Sequence, residues 1–85
     1  MTKIRANDFE ASVEMVSPIR DPKGICIVLE DKRNLVEIAQ EFSGHNRLEV
    51  VENDFDYVTI YEGYTRITSM YCRGDAVTLV LAKEE

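Results

Sequence analysis

The residues of this chain that could carry out chemistry are few and far apart. His45 is the only histidine, and it follows the predicted end of a helix, where a solvated or helix-capping role is favoured over catalysis. Cys26 and Cys72 each lie inside an apolar segment, and neither belongs to a C-x-x-C pair. We therefore expect buried free thiols in a reducing cytosol. These residues alone do not complete a four-ligand zinc site.

The densest group of oxygen ligands is "ENDFD", which contains Glu52, Asp54 and Asp56. It lacks the D-x-[DN]-x-[DN]-G spacing of a calcium loop, so we predict a solvated turn. The sequence contains neither a Walker A loop nor the G-x-G-x-x-G fingerprint. We therefore predict a protein that is not an enzyme and that binds no cofactor, metal ion or small-molecule ligand.

The length and charge of the chain limit its other partners. A chain of 85 residues has room for one domain, 1–85. Acidic residues outnumber basic ones by 16 to 10, and the net charge of −6 opposes binding to phosphate backbones. The longest apolar run, "ICIVL", is too short to span a bilayer, and the first residues lack the apolar segment of a secretion signal. We expect no nucleic acid, no membrane and a cytoplasmic location, with assembly into a virus particle left open.

The first part of the chain predicts a β-hairpin. In "DFEASVEMV" the apolar residues alternate with polar ones, which puts Phe9, Ala11, Val13 and Met15 on one face of a half-buried strand. The returning segment, "ICIVLE", is apolar on both faces, which favours a central position in a sheet. The opening "TKIRA" could add a short edge strand.

The segment 31–45 predicts the helix of the chain. Leu35, Ile38, Ala39 and Phe42 form one apolar stripe at helical spacing. Such a helix is suited to covering one face of an antiparallel sheet. Further strands rich in β-branched and aromatic residues follow. The predicted fold class is α+β, in the order ββαβββ, with one amphipathic helix packed on a sheet face.

Two glycine turns set the predicted strand registers. If residues 74–75 form a two-residue hairpin loop, Cys72 lies opposite Val77 and Met70 lies opposite Leu79. We expect this face to lie under the helix. A three-residue loop with Gly63 at positive φ would join the predicted strands "FDYVTIY" and "YTRITSMYC" into a bulged hairpin. That register places Val58 and Ile60 on the same core face.

The opposite face of these predicted hairpins carries tyrosines and few charges. Aromatic patches of this kind often mark contacts between proteins. Alternatively, the first hairpin folds over this face as a second sheet. The candidate interface residues are Tyr57, Tyr61, Ile67, Tyr71 and Val80.

The stretch "TIYEGYTRITSM", 59–70, and the hairpin after it carry a Gly-Tyr-Thr turn that enters a strand. This third of the chain resembles the C-terminal ends of small uncharacterised proteins encoded by phages and prophages. The resemblance implies a virion or phage accessory component. It implies no reaction and transfers no functional residue.

These observations predict a non-enzymatic protein-interaction or structural subunit, whose partner is another protein or a further copy of itself. The alternative is a small acidic inhibitor that mimics nucleic acid on a target protein. A mimic requires its carboxylates to converge on one surface. The carboxylates in question are Glu10, Glu14, Glu49, Glu52, Asp54 and Asp56.

Overall fold

A computed structural model describes residues 2–20, 23–30, 35–53, 57–74 and 76–84. The turn at 21–22 and the start of the expected helix at 31–34 lie outside the described residues. The elements are β1 (Thr2–Ala6), β2 (Phe9–Arg20), β3 (Lys23–Leu29), α1 (Leu35–Ser43), β4 (Arg47–Glu52), β5 (Tyr57–Glu62), β6 (Arg66–Arg73) and β7 (Ala76–Ala82). The fold is α+β and mostly β. Its order, βββαββββ, differs from the predicted ββαβββ.

All seven strands belong to one antiparallel sheet, in the order β5-β4-β1-β2-β3-β7-β6. The central position expected for β3 is confirmed. The predicted hairpin between β5 and β6 is wrong, because β5 pairs with β4 while β6 pairs with β7. The alternative of a second sheet is also wrong, since β2 and β3 pair with β1 and β7 in the same sheet.

The sheet must coil along its diagonal. Laid flat, its two edge strands would be about 29 Å apart at a strand spacing of about 4.8 Å. Only residues 63–65 separate the end of β5 from the start of β6, and a link of this length spans at most about 15 Å. The strand direction reverses at each step between neighbouring strands, and six such steps separate β5 from β6. The two strands therefore point the same way. The link runs from the end of β5 to the start of β6, at the diagonally opposite corner of the sheet.

One face of the coiled sheet is buried with the helix, and we call it the helix face. Phe42 of α1 packs edge-on against Phe9 of β2, with the ring centroids 5.9 Å apart. Ile4 and Leu79, from separate strands, are fully buried on this face. The buried core cluster also contains Ile38, Ala39, Val13, Ile25, Ile27, Leu29, Leu48, Val50, Tyr64, Val77 and Leu81. The opposite side of the sheet is the outer face.

Two β-bulges change which face a side chain occupies. In β2 the register shifts between Val13 and Met15, so Glu14 is the extra residue. Val13 therefore lies on the helix face, but Met15 lies opposite Val28 on the outer face and is exposed. The prediction that Met15 shares a face with Val13 is wrong. A second shift, at Thr68 in β6, places Ile67 opposite Leu81.

The last hairpin has the predicted register. Cys72 pairs with Val77 and Met70 pairs with Leu79. Gly74 has a φ of 61°, as the turn requires, while Asp75 lies outside the described residues. However, β6 is an edge strand, and Met70 and Cys72 are exposed rather than buried in the core.

Candidate protein-interaction edges

The exposed apolar side chains are concentrated on the two edge strands. Among the described residues, eight large hydrophobic side chains are exposed, and six of them belong to β5 or β6. The other two, Met15 and Val36, lie on β2 and α1. The six edge residues are Tyr57, Val58, Ile60, Ile67, Met70 and Tyr71.

Strand β5 has the less protected edge. Val58 and Ile60 are 46% and 45% exposed on the outer face, and Tyr57 is 64% exposed on the helix face. Proteins commonly protect an edge strand with lysine, proline or a bulge. β5 contains neither lysine nor proline, its pairing with β4 shows no register shift, and Glu62 at its end is its one charged residue. Among the described strands, β4 alone pairs with β5, so the outward backbone groups of β5 are available to another strand.

Strand β6 has a more protected edge. Met70 is 44% exposed on the helix face, and Tyr71 is 46% exposed on the outer face. The bulge at Thr68 interrupts the strand, and the Thr68 hydroxyl donates to the Val80 carbonyl over 3.3 Å. The sequence also places an arginine at each end of β6. These features limit regular pairing to the second half of the strand.

The corner where β5 leads into β6 is tightly packed. Gly63 donates its N–H to the Asn46 carbonyl over 2.8 Å, and its own carbonyl accepts from the Glu84 N–H over 2.8 Å. The predicted positive φ of Gly63 is confirmed at 86°. This backbone conformation of Gly63 belongs to the corner and not to a bulged hairpin, because β5 and β6 do not pair.

Tyrosine rings fill the same corner. The Tyr61 and Tyr64 rings meet edge to face, with their centroids 5.4 Å apart, and Lys83 Nζ lies 5.8 Å from the centroid of the Tyr64 ring. Burial raises the pKa of the Tyr61 phenol, and the neighbouring Tyr64 and Glu52 raise it further. Tyr61 is thus part of the packing of this corner.

The five predicted interface residues do not share one face. Tyr57 and Tyr61 lie on the helix face at the β5 edge, and Ile67 lies on the helix face at the β6 edge. Tyr71 and Val80 lie on the outer face near the β6 edge. The predicted patch depended on a β5–β6 hairpin, so without that pairing its residues separate into groups. Their role in binding a partner stays a prediction.

Sequence reasoning missed Val58, Ile60 and Met70 as surface residues, because it placed them on the core face. Their alternation with other side chains is correct in β5 and in the part of β6 after the bulge at Thr68, where every second residue shares a face. Alternation along a strand does not reveal the order of the strands in the sheet, and that order leaves β5 and β6 at the two edges.

The groups that could carry out chemistry are not brought together. His45 Nε2 lies 3.5 Å from Glu41 Oε2 at the end of the helix. Cys72 is exposed, so the prediction of a buried thiol is wrong for it; Cys26 is partly buried, on the opposite face of the sheet. An open depression beside His45 is lined by Asn7, His45, Asn46, Arg47 and Glu49. Within the described ranges, no three His, Cys, Asp or Glu residues are grouped to hold a metal ion.

The carboxylates lie among cations and on both faces. Glu10 lies 3.2 Å from Lys3 Nζ and 3.7 Å from Arg5 Nε. Glu49 lies opposite Arg5 across the β1–β4 pair on the outer face, whereas Glu52 lies on the helix face opposite Tyr57. Glu14 is the extra residue of the β2 bulge, and Asp54 and Asp56 lie outside the described residues.

Comparison of the chain with protein-family models, curated proteins and solved structures finds no match. In the part of the chain that the structure describes, no helix is both long enough and apolar enough to cross a membrane. The exposed apolar side chains of the edge strands β5 and β6 are thus the feature of the molecule that points to a function.

Proposed function

We propose that this chain is a non-enzymatic protein-interaction or structural subunit that binds other chains through the edges β5 and β6. The observation that carries the proposal is the location of the exposed apolar side chains. In the described part of the chain, six of the eight exposed large hydrophobic residues lie on these two strands. An edge strand with apolar side chains offers a partner both hydrogen bonds and buried area.

The two kinds of contact contribute differently to such binding. Backbone N–H and C=O groups of the edge pair with any extended segment and supply affinity without selecting a sequence. The side chains select the partner, because Val58 and Ile60 lie on the outer face and Tyr57 lies on the helix face. A partner strand with apolar side chains on both of its faces would fit β5.

The likeness of residues 59–70 to small phage and prophage proteins suggests a setting for such a subunit. A virion or a phage accessory complex, assembled in the cytoplasm, is built from repeated contacts between protein chains. The acidic-mimic alternative has less support. Lys3 and Arg5 flank Glu10, and Glu49 and Glu52 point to opposite faces.

The test compares two double variants of the tagged chain in its native cells. Ile60→Lys with Tyr71→Lys places one charge on each edge. Met15→Lys with Val36→Lys places two charges on exposed apolar positions away from the edges, and is the matched control. Co-purifying proteins and the mass of the complex are measured, with thermal unfolding as a check on folding.

We expect the wild type and the control to retain the same partner proteins or the same higher mass. The edge variant is expected to lose them while remaining folded. Equal retention by both double variants would overturn the proposal. It would also be overturned if the wild type bound nothing and stayed monomeric.

A further inference from the structure

We infer that β5 pairs with β5 of a second copy of this chain, antiparallel, about a two-fold axis that passes beside Thr59. The inference rests on the proposed function, because it names the occupant of one of the two edges. It follows from the face that each β5 side chain occupies and from the order of residues along the strand.

A two-fold axis limits the registers that β5 can form with itself. An antiparallel copy that extends the sheet is related by an axis perpendicular to the sheet, so the helix faces of both copies lie on the same side. Directly opposed residues share a face. In β5 the odd-numbered residues lie on the helix face and the even-numbered residues on the outer face. The register must therefore be centred on a residue, and not between two.

The register centred on Thr59 pairs every apolar side chain of β5 with another one. On the outer face Val58 lies opposite Ile60 of the second copy, and this pair occurs twice. On the helix face Tyr57 lies opposite Tyr61 of the second copy, also twice. Aromatic and β-branched cross-strand pairs stabilise a sheet by about 0.2–1 kcal/mol each relative to alanine pairs. No charged residue falls within the paired stretch 57–61.

The register centred on Ile60 is less favourable. It places Val58 opposite Glu62 of the second copy, and it places Tyr57 opposite Gly63, beyond the end of the strand. An apolar side chain opposite a carboxylate leaves the carboxylate partly desolvated without a partner. The order of residues along β5 thus favours the centre at Thr59.

Strand β6 does not have the same self-complementarity. Its bulge at Thr68 leaves 69–73 as the regular stretch. Centred on Tyr71, that stretch places Ser69 opposite Arg73 of the second copy, and Met70 opposite Cys72. A foreign strand could use the backbone of either edge, but the side-chain order of β5 matches its own copy. This contrast assigns self-pairing to β5 and leaves β6 for another chain.

One pair of short strands forms a small interface. Stable complexes usually bury at least about 1,200 Å², and a single strand pair of this length buries less. We therefore expect an association that dissociates on dilution. The mass should rise with concentration from 9.7 kDa toward twice that value.

A cross-linking experiment tests the register. Thr59→Cys is introduced into full-length protein that also carries Cys26→Ala and Cys72→Ser. Opposed Cβ atoms in a sheet lie about 4.5–5.5 Å apart, close to the separation that a disulfide requires. Ile60→Cys and Tyr71→Cys in the same background test the other β5 register and the β6 edge, because each is the residue that would face its own copy in that register. The fraction of covalent dimer after mild oxidation is measured as a function of protein concentration.

We expect Thr59→Cys to give at least about fivefold more covalent dimer than either control variant, at a concentration where the wild type is partly dimeric. More dimer from Ile60→Cys or Tyr71→Cys would overturn the assigned register or edge. Sedimentation supplies the second measurement. Val58→Lys with Ile60→Lys should keep the chain at 9.7 kDa, whereas Tyr71→Lys should leave the rise in mass unchanged.

Failure of this inference can be told apart from failure of the proposed function. If the wild type stays at 9.7 kDa at about 1 mM and Thr59→Cys forms no dimer, self-pairing is overturned. The proposed function then still stands if the edge double variant loses partner proteins that the Met15 and Val36 control retains.

Discussion

Strands β6 and β7 form one hairpin, yet they differ completely in burial. Leu79 of β7 is fully buried, while Met70, directly opposite it on β6, is 44% exposed. Val77 of β7 is buried, while Cys72 opposite it is exposed. β7 lies between β3 and β6, whereas β6 is at the edge of the sheet. Both members of each of these pairs lie on the helix face, so within this hairpin the position of the strand in the sheet decides which apolar side chain is buried.

The other end of the sheet repeats the comparison. Val51 of β4 is buried on the outer face, and Val58 opposite it on β5 is 46% exposed. The same residue type therefore stabilises the fold in β4 and is available for binding in β5. The division predicts that substitutions at buried positions of interior strands reduce stability, while those at exposed positions of edge strands alter association.

We expect the largest difference in stability between variants at Leu79 and variants at Met70. We expect Leu79→Ala to reduce the free energy of unfolding by about 2–5 kcal/mol, because it leaves a cavity in the core. Met70→Ala, on the opposed exposed position, should cost less than about 1 kcal/mol. Urea unfolding of the two variants measures both values. Equal costs would contradict the division between interior and edge.

A smaller contrast concerns two glycines. A Cβ on Gly24 of β3 would come within 2.7 Å of the Leu81 carbonyl oxygen, which is backbone and cannot move aside cheaply. A Cβ on Gly74, in the turn between β6 and β7, would meet nothing within 4 Å. We expect Gly24→Ala to cost about 1–3 kcal/mol through overpacking. Gly74→Ala should cost about 1 kcal/mol through its positive φ alone.

The two costs are measured by urea unfolding at one pH. The contrast between interior and edge is contradicted if Gly74→Ala proves the more destabilising of the two. A stabilising Gly24→Ala would show that β3 and β7 separate without cost at this point. That outcome would also weaken the argument for close packing between interior strands.

Local features of this fold could be predicted from the sequence. The register of Cys72 with Val77 followed from a two-residue loop, and the positive φ of Gly63 followed from a glycine turn, although the hairpin assumed for that turn does not form. The central place of β3 followed from apolar residues on both of its faces. Each of these predictions depends on neighbours within a few residues along the chain.

The strand order could not be predicted in the same way. A three-residue loop that ends at Gly63 predicts that β5 and β6 pair, but the residues that link these strands are 63–65. In the structure they join opposite corners of a coiled sheet, and that coiling depends on contacts across the whole sheet. The bulges at Glu14 and Thr68 were also missed, because one inserted residue reverses faces without changing composition. The predicted interface depended on this pairing and on unbulged strands, so its five residues lie on two faces in the structure.

Tyr61 provides the smallest and most selective test, because it belongs to an edge strand yet is packed at the corner with Tyr64. Burial raises its pKa above the ordinary value of 10.0, so the folded state holds the phenol proton more tightly than the unfolded chain does. The stability from neutral Tyr61 is fully present below the unfolded pKa. It is lost as the pH rises through the folded pKa.

We therefore expect the wild type to lose stability more steeply than Tyr61→Phe between about pH 9 and pH 11, the range in which an ordinary tyrosine ionises. Urea midpoints at several pH values measure the difference. Thr59→Val removes a hydroxyl from the same face of β5 without removing an ionising group, so it should keep the wild-type slope. If Tyr61→Phe and the wild type have the same slope, Tyr61 behaves as an ordinary edge residue. The interior packing would then end before β5, and the whole of that strand would belong to the binding edge.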